Sequence, residues 1–382
     1  MFGILHRRCY STARRSVLVL SDGKLESTLS GMALGRRLGD MRLKTIVGSK
    51  TLQAMPTLLQ KYAVDWSKTS SSSRLPWFLQ DADQKEQTMP DRADYVVCTA
   101  ADAIPTCLAT TKLYKDMFSV YLGFPSLPFI YFDQVVLPRY EANTKLAHLG
   151  PYARQKNMIG TLAPLVAPSS LSESRRSSSC YTAVVVGGYT PYCRWYSEDA
   201  KLLVDNIRRM VHHDPVTLIL TEHTTDAARS ILNSIADEPG VTLWDIQQQQ
   251  QQQEASTASQ RAEMYESLIQ GASRVVLTAD LDYLTTHAIA QSKPVYIAFG
   301  DRCRAYLQHF QRWARDHRLT RKLRLSKTAT KAQDVYSYLG THPAWQDGQR
   351  LVEVQETLDY VVHELEALRG EKSTGKRRKD IL

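Results

Sequence analysis

Short apolar runs alternate with amphipathic stretches along most of the chain, the pattern of buried parallel strands covered by helices. Val17–Leu20 predicts a strand that stops at the polar turn Ser21-Asp22-Gly23. Leu29, Met32, Ala33 and Leu38 then share a helical face, and Leu43–Val47 reads as the next strand. Strand, turn, helix, strand opens a doubly wound α/β domain. Further strands are expected at Ala93–Thr99, Phe118–Leu122, Phe132–Leu137 and Asn157–Thr161. A second series follows at Thr182–Val186, Val216–Leu220, Val241–Trp244, Arg274–Thr278 and Pro294–Phe299. Helices are expected between them at Ser197–Val211, Ala227–Ile235, Ala262–Gln270 and Tyr283–Ala290, and after them at Cys303–Arg318. Near the end, Leu351, Val354, Leu358, Val361, Leu365 and Leu368 alternate spacings of three and four. That stripe either docks on a lobe or pairs with a partner helix.

Three segments interrupt this rhythm. Gln60 to Pro90 is polar and serine-rich and reads mainly as a long surface loop. Ser169–Ser179 holds seven serines and reads as a linker. Gln247–Gln253 is a run of glutamines, best placed as a loop expansion. The expected organisation is an α/β fold with two Rossmann-like lobes, over 17–168 and 181–325, joined by a linker at 169–180. A further linker and amphipathic docking helix occupy 326–370, and a basic tail occupies 371–382.

Charge changes the picture only at the ends. The chain carries net +9, of which four positive charges lie in residues 1–16 and a net three in 371–382. The remaining body is therefore about +2, which is no footprint for nucleic acid. The tail is either a solvated end or a contact for anionic lipid or nucleic acid. Residues 1–16 combine Arg and Ser with apolar residues and no acid, as a mitochondrial targeting segment does; the other reading is a basic extension before the first strand. Six scattered cysteines form no metal-ligand pair and are too sparse for a disulfide-stapled fold. No metal site is read.

The sharpest candidate chemistry lies in Val184–Ala200, where a strand ends in Gly187-Gly188 and a helix starts near Ser197. Glycines allow a tight turn and close approach of backbone N–H groups to an anion. Arg194 stands nearby to neutralise a phosphate, or is solvated. Thr278 and Asp280 end another strand, where ligands bind in open α/β sheets; Asp282 caps the following helix or joins them. Glu222 and His223 end a third strand facing the same crevice. In the first lobe, Asp22 either fixes the turn or acts as a catalytic base.

Taken in order, these residues resemble the plant-type mitochondrial fission factor family, whose loss gives elongated mitochondria, and its bacterial relatives of glycosyltransferase-B-like architecture. Gly187, Gly188, Arg194, Trp195, Glu198 and Asp199 match its GGxxxxxRW segment and the acidic helix start. Thr278, Asp280, Lys293, Pro294, Val295 and Tyr296 match a second segment, and Asp133, Pro138 and Arg139 a third. The family's opening SDGxxGxxxQ keeps only Ser21, Asp22 and Gly23, with Glu26 and Ser30 at later positions. Its SGR appears as Thr99-Ala100-Ala101, and its serines after Asp280 are replaced by Leu281 and Asp282.

The resemblance implies a glycosyltransferase-B-like fold and a role in mitochondrial fission or morphology, with a dynamin-related GTPase as partner. The replaced polar positions imply a degenerate, vestigial nucleotide-sugar site and no required cofactor. The alternative is a glycosyltransferase with Asp22 as base and the donor held by Gly187, Gly188, Arg194, Glu222, Thr278 and Asp280. The location implied is the mitochondrion, with matrix and outer surface both open and an anionic membrane as a peripheral contact.

Overall fold

The computed structural model describes residues 14–67, 74–81, 87–147, 155–168, 181–248, 257–323, 325 and 348–373. The expected linker at 169–180, most of the glutamine run and most of the targeting segment lie outside these residues.

Two six-stranded parallel sheets dominate. The first has the order β2 (Asp40–Lys44), β1 (Ser16–Leu20), β5 (Tyr95–Cys98), β6 (Phe118–Leu122), β7 (Gln134–Pro138) and β8 (Met158–Thr161). The second has the order β11 (Val241–Asp245), β10 (Val216–Leu220), β9 (Thr182–Val186), β12 (Arg274–Thr278), β13 (Val295–Ala298) and β14 (Arg321–Lys322). Strands β9, β10 and β12 are buried along almost their whole length, which explains their continuous apolar sequence. In each sheet the order reverses beside the first strand, between β1 and β5 and between β9 and β12. These are the switch points at whose carboxyl ends ligands collect. The chain thus has the two Rossmann-like lobes expected.

Between the strands run α1 (Leu25–Leu38), α2 (Lys50–Gln53), α3 (Thr57–Trp66), α4 (Ile104–Leu113), α5 (Arg139–Ala147), α6 (Ser197–Val211) and α7 (Asp226–Asn233). They are followed by α8 (Ala258–Gly271), α9 (Asp282–Ala290), α10 (Ala305–Asp316) and α11 (Gly348–Ser373). The expected strand Leu43–Val47 is divided. Its first half belongs to β2, and its second becomes β3 (Ile46–Gly48), paired antiparallel with β4 (Leu79–Asp81). The region from Gln60 to Pro90 is correspondingly less of a loop than its composition predicts. Val64, Leu75, Phe78, Leu79 and Met89 form a satellite core with Ile46 and Leu52. Sparse apolar anchors separated by polar residues carry no period, so the sequence pattern hides them. β14 is likewise hidden in the sequence, because Arg321-Lys322 has no strand character of its own.

The lobes meet along an apolar seam. Leu25, Leu29 and Met32 of α1 belong to the core of the second lobe although their helix springs from the first. Tyr140 of α5 stacks on Tyr306 and packs on Phe310 of α10. The amphipathic stripe of α11 docks on both lobes: Val354 enters the second core, whereas Leu358, Val361 and Leu365 enter the first. All four are at most 2% exposed, and burial of each contributes about 1.5–3 kcal/mol. Such a face is not free for a partner helix. The helix continues to Ser373, past the expected boundary at 370, because Arg369 pairs with Asp94 and Lys372 with Asp133. The start of the expected basic tail is thus tied to the first lobe.

Candidate functional site

The turn after β9 shows why two glycines are needed there. A Cβ on Gly188 would overlap the His223 carbonyl oxygen, and one on Gly187 would overlap the Asp280 carboxylate. The turn is drawn close to its neighbours, and its donors are already engaged. Gly187 N donates to Thr278 Oγ1 at 2.8 Å, and Gly188 N donates to Asp280 Oδ2 at 2.8 Å. Trp195 Nε1 donates to the other carboxylate oxygen at 2.9 Å and stacks on Phe299. Burial raises the Asp280 pKa, while the Gly188 and Trp195 donors oppose the rise. The structure therefore brings Gly187, Gly188, Thr278 and Asp280 together, with a carboxylate of the chain itself at the N–H groups. Arg194 lies outside this cluster, with its side chain exposed.

Glu222 faces the other lobe. Its Oε1 accepts from Leu25 N at 3.0 Å, capping the start of α1 across the interface. Burial raises its pKa, against that hydrogen bond. Arg261 reaches over the same seam to the Gly23 carbonyl. Asp22 is also engaged: it accepts from Lys24 N and from the Ser27 hydroxyl, and it pairs with Lys24 Nζ at 2.9 Å. These bonds are those of the turn-fixing alternative for Asp22, whose carboxylate also lines the space between the lobes.

Between the two carboxyl edges lies a cavity of about 360 Å³. Asp22, Glu26, Glu141 and Asp282 line it, together with Lys24, His223, Ser30, Thr99 and Tyr283. Glu26 enters from the first turn of α1, where the helix dipole favours a negative charge by about 0.3–1 kcal/mol. Burial and four neighbouring acids outweigh this and hold its pKa well above the usual carboxyl range. Its Oε1 is sealed from solvent with no hydrogen-bond partner among the described residues, as is the Tyr283 hydroxyl. Asp282 accepts from Tyr140 Oη at 2.9 Å across the lobe interface. Burial, reinforced by Glu141, pushes its pKa up to about 6. It also accepts from Tyr283 N at 3.1 Å, but as the first residue of α9; the N-cap is Leu281, so the expected helix-capping role of Asp282 is not seen.

Glu26, Glu141 and Tyr140 are the site residues to which the sequence assigned no role, although Tyr140 and Glu141 follow a first-lobe strand as Asp22 does. Glu26 carried a usable signal, since it lies one helical turn beyond Asp22 at a switch point. The Tyr140–Asp282 pair carried none, because its members are 142 positions apart. Among the described residues no cluster of His, Cys, Asp and Glu is arranged to hold a metal ion. No helix among them is long and apolar enough to cross a membrane.

Solved structures with a similar fold include a putative UDP-N-acetylglucosamine 2-epimerase from Listeria monocytogenes, with TM-score 0.49, 10% identity and coverage of 97% of this chain and 99% of that one. The UDP-GlcNAc 2-epimerase of Methanocaldococcus jannaschii gives 0.46, 10%, 92% and 99% for the same measures. A glycosyltransferase from Rickettsia africae gives 0.41, 10%, 96% and 100%. Comparison with curated proteins finds no match. The family described as mitochondrial fission ELM1 matches over residues 30–344. With most of its length inside that match, and with the paired lobes and the glycine turn in place, this chain belongs to the mitochondrial fission ELM1 family.

Proposed function

We propose that the chain acts in mitochondrial fission or morphology as a non-catalytic protein, through contacts with proteins or a membrane surface. The observation that carries this reading is the Asp280 carboxylate, which takes the Gly188 N–H and the Trp195 indole. Those are donors that a bound diphosphate would need. The facing cavity compounds the mismatch with its carboxyl groups.

Exposed apolar groups support contacts with a partner instead. Around α3, Leu58, Leu59 and Tyr62 are half-exposed, Trp66 is 91% exposed and Trp77 is 83% exposed. Large apolar groups clustered on a soluble surface mark interaction sites. The partner in this reading is a dynamin-related GTPase at a mitochondrial surface, with anionic lipid as a peripheral contact. Glycosyl transfer is the second reading, favoured by the open cavity and the Asp282 carboxyl poised at about 6.

Calorimetric titration of the full chain with UDP and a panel of UDP-sugars separates the two. No heat of binding at millimolar ligand is the expected result. Saturable binding that Arg194→Ala abolishes would reverse the preference in favour of the transferase reading.

A further inference from the structure

Cys193 and Cys303 are 110 positions apart and sit opposite each other on an isolated antiparallel bridge in the second lobe. The flanking backbone bonds run from Arg194 N to Arg302 O and from Arg304 N to Tyr192 O. The two cysteines are therefore a non-hydrogen-bonded pair, the antiparallel position where Cα atoms come closest, about 4.5 Å, and side chains touch. A disulfide requires Cα atoms about 4.4–6.8 Å apart, so the backbone already meets its geometric condition. The side chains meet it as well: Cys303 Sγ donates to Cys193 Sγ at 2.9 Å.

We propose that Cys193 and Cys303 are an oxidation site, a dithiol that closes to a disulfide with a peroxide as oxidant. Cys303 is the entry point, being 6% exposed where Cys193 is fully buried. Its sulfur attacks a peroxide oxygen and becomes a sulfenic acid, releasing one water. Cys193 then attacks the Cys303 sulfur, the S–O bond breaks, and the second water leaves with the remaining thiol proton. Two thiols and one hydrogen peroxide give one disulfide and two waters, a two-electron oxidation. The neighbouring Cys303 thiol and burial both hold the Cys193 thiol above its usual range. Since thiolates are the nucleophiles, closure is slow compared with that of dedicated redox sensors.

The bond would lie beside the glycine turn. Cys193 is two residues from Trp195, and Cys303 Sγ also points to the Ala279 carbonyl, next to Asp280. Oxidation thus fixes the segment that holds Trp195 on Asp280, whatever the protein's function.

The test is peptide mapping of the full-length chain after incubation with excess hydrogen peroxide, alkylation under denaturing conditions and no reduction. The expected product is a Cys193–Cys303 linked peptide pair, two hydrogens lighter than its parts and released by dithiothreitol. Oxidation should also raise the thermal midpoint by roughly 5–10 °C. Cys303→Ala should abolish that rise while keeping the far-ultraviolet spectrum. If the variant does not fold, mapping of the unaltered chain still decides. Recovery of Cys193 and Cys303 as separate alkylated or sulfinic residues, or linkage confined to Cys98 and Cys107, overturns the proposal.

Discussion

The two switch points share a topology and differ in what they present. In the second lobe the turn after β9 is closed, its N–H groups bonded to Thr278 and Asp280. In the first lobe the turn after β1 leaves the cavity open, and acids line it. At one site an internal carboxylate takes the N–H of the glycine turn; at the other, four acids and Lys24 line an open cavity. Sheet order alone determines where a crevice forms, and a few side chains at the strand ends determine what it can hold.

Three experiments would sharpen the contrast. The largest effect is expected from Gly188→Ala, which sets a Cβ on rigid His223 backbone. A loss of about 4 kcal/mol, or failure to fold, should appear in urea denaturation; a cost below 1 kcal/mol would mean that the turn is loose. Asp280→Ala comes next, since it strands the Gly188 N–H and the Trp195 indole. About 3 kcal/mol is expected, and a cycle with Trp195→Phe should show strong coupling. Additive losses would show that the two residues act separately.

The smallest effect belongs to the cavity between the lobes. The Asp282 pKa rises on folding, so the folded chain holds more protons than the unfolded one. Its contribution is complete below the ordinary value of 3.8 and is lost as pH climbs to about 6. Stability should decline by about 1–2 kcal/mol across that window after solvent screening. Asp282→Asn should flatten the decline, measured as denaturation midpoint against pH. An unchanged slope would show that Asp282 does not titrate there.

The second lobe was legible almost to the residue. Thr182–Val186, Val216–Leu220 and Arg274–Thr278 are observed with the boundaries that their apolar runs predict. A strand buried on both faces is written continuously in the sequence. The satellite core around Val64 and Phe78 was not legible, because isolated apolar residues in polar surroundings leave no period. Glycine and aspartate types marked the turn after β9, yet only coordinates place the Asp280 oxygens on its N–H groups. The inter-lobe pairs Glu222–Leu25 and Tyr140–Asp282 join residues too distant for any local pattern.

Helix α11 has a mechanical consequence. Eleven residues separate Val354 from Leu365, about 16 Å along a helix axis, and that rod is seated in one lobe at its start and in the other farther on. Two lobes joined only by a linker are free to swing like a clamshell. Here the helix spans the seam like a splint, and separating the lobes would strip apolar side chains from one seat or the other. Parting the lobes would therefore expose the apolar stripe of the C-terminal helix as well as the seam it spans.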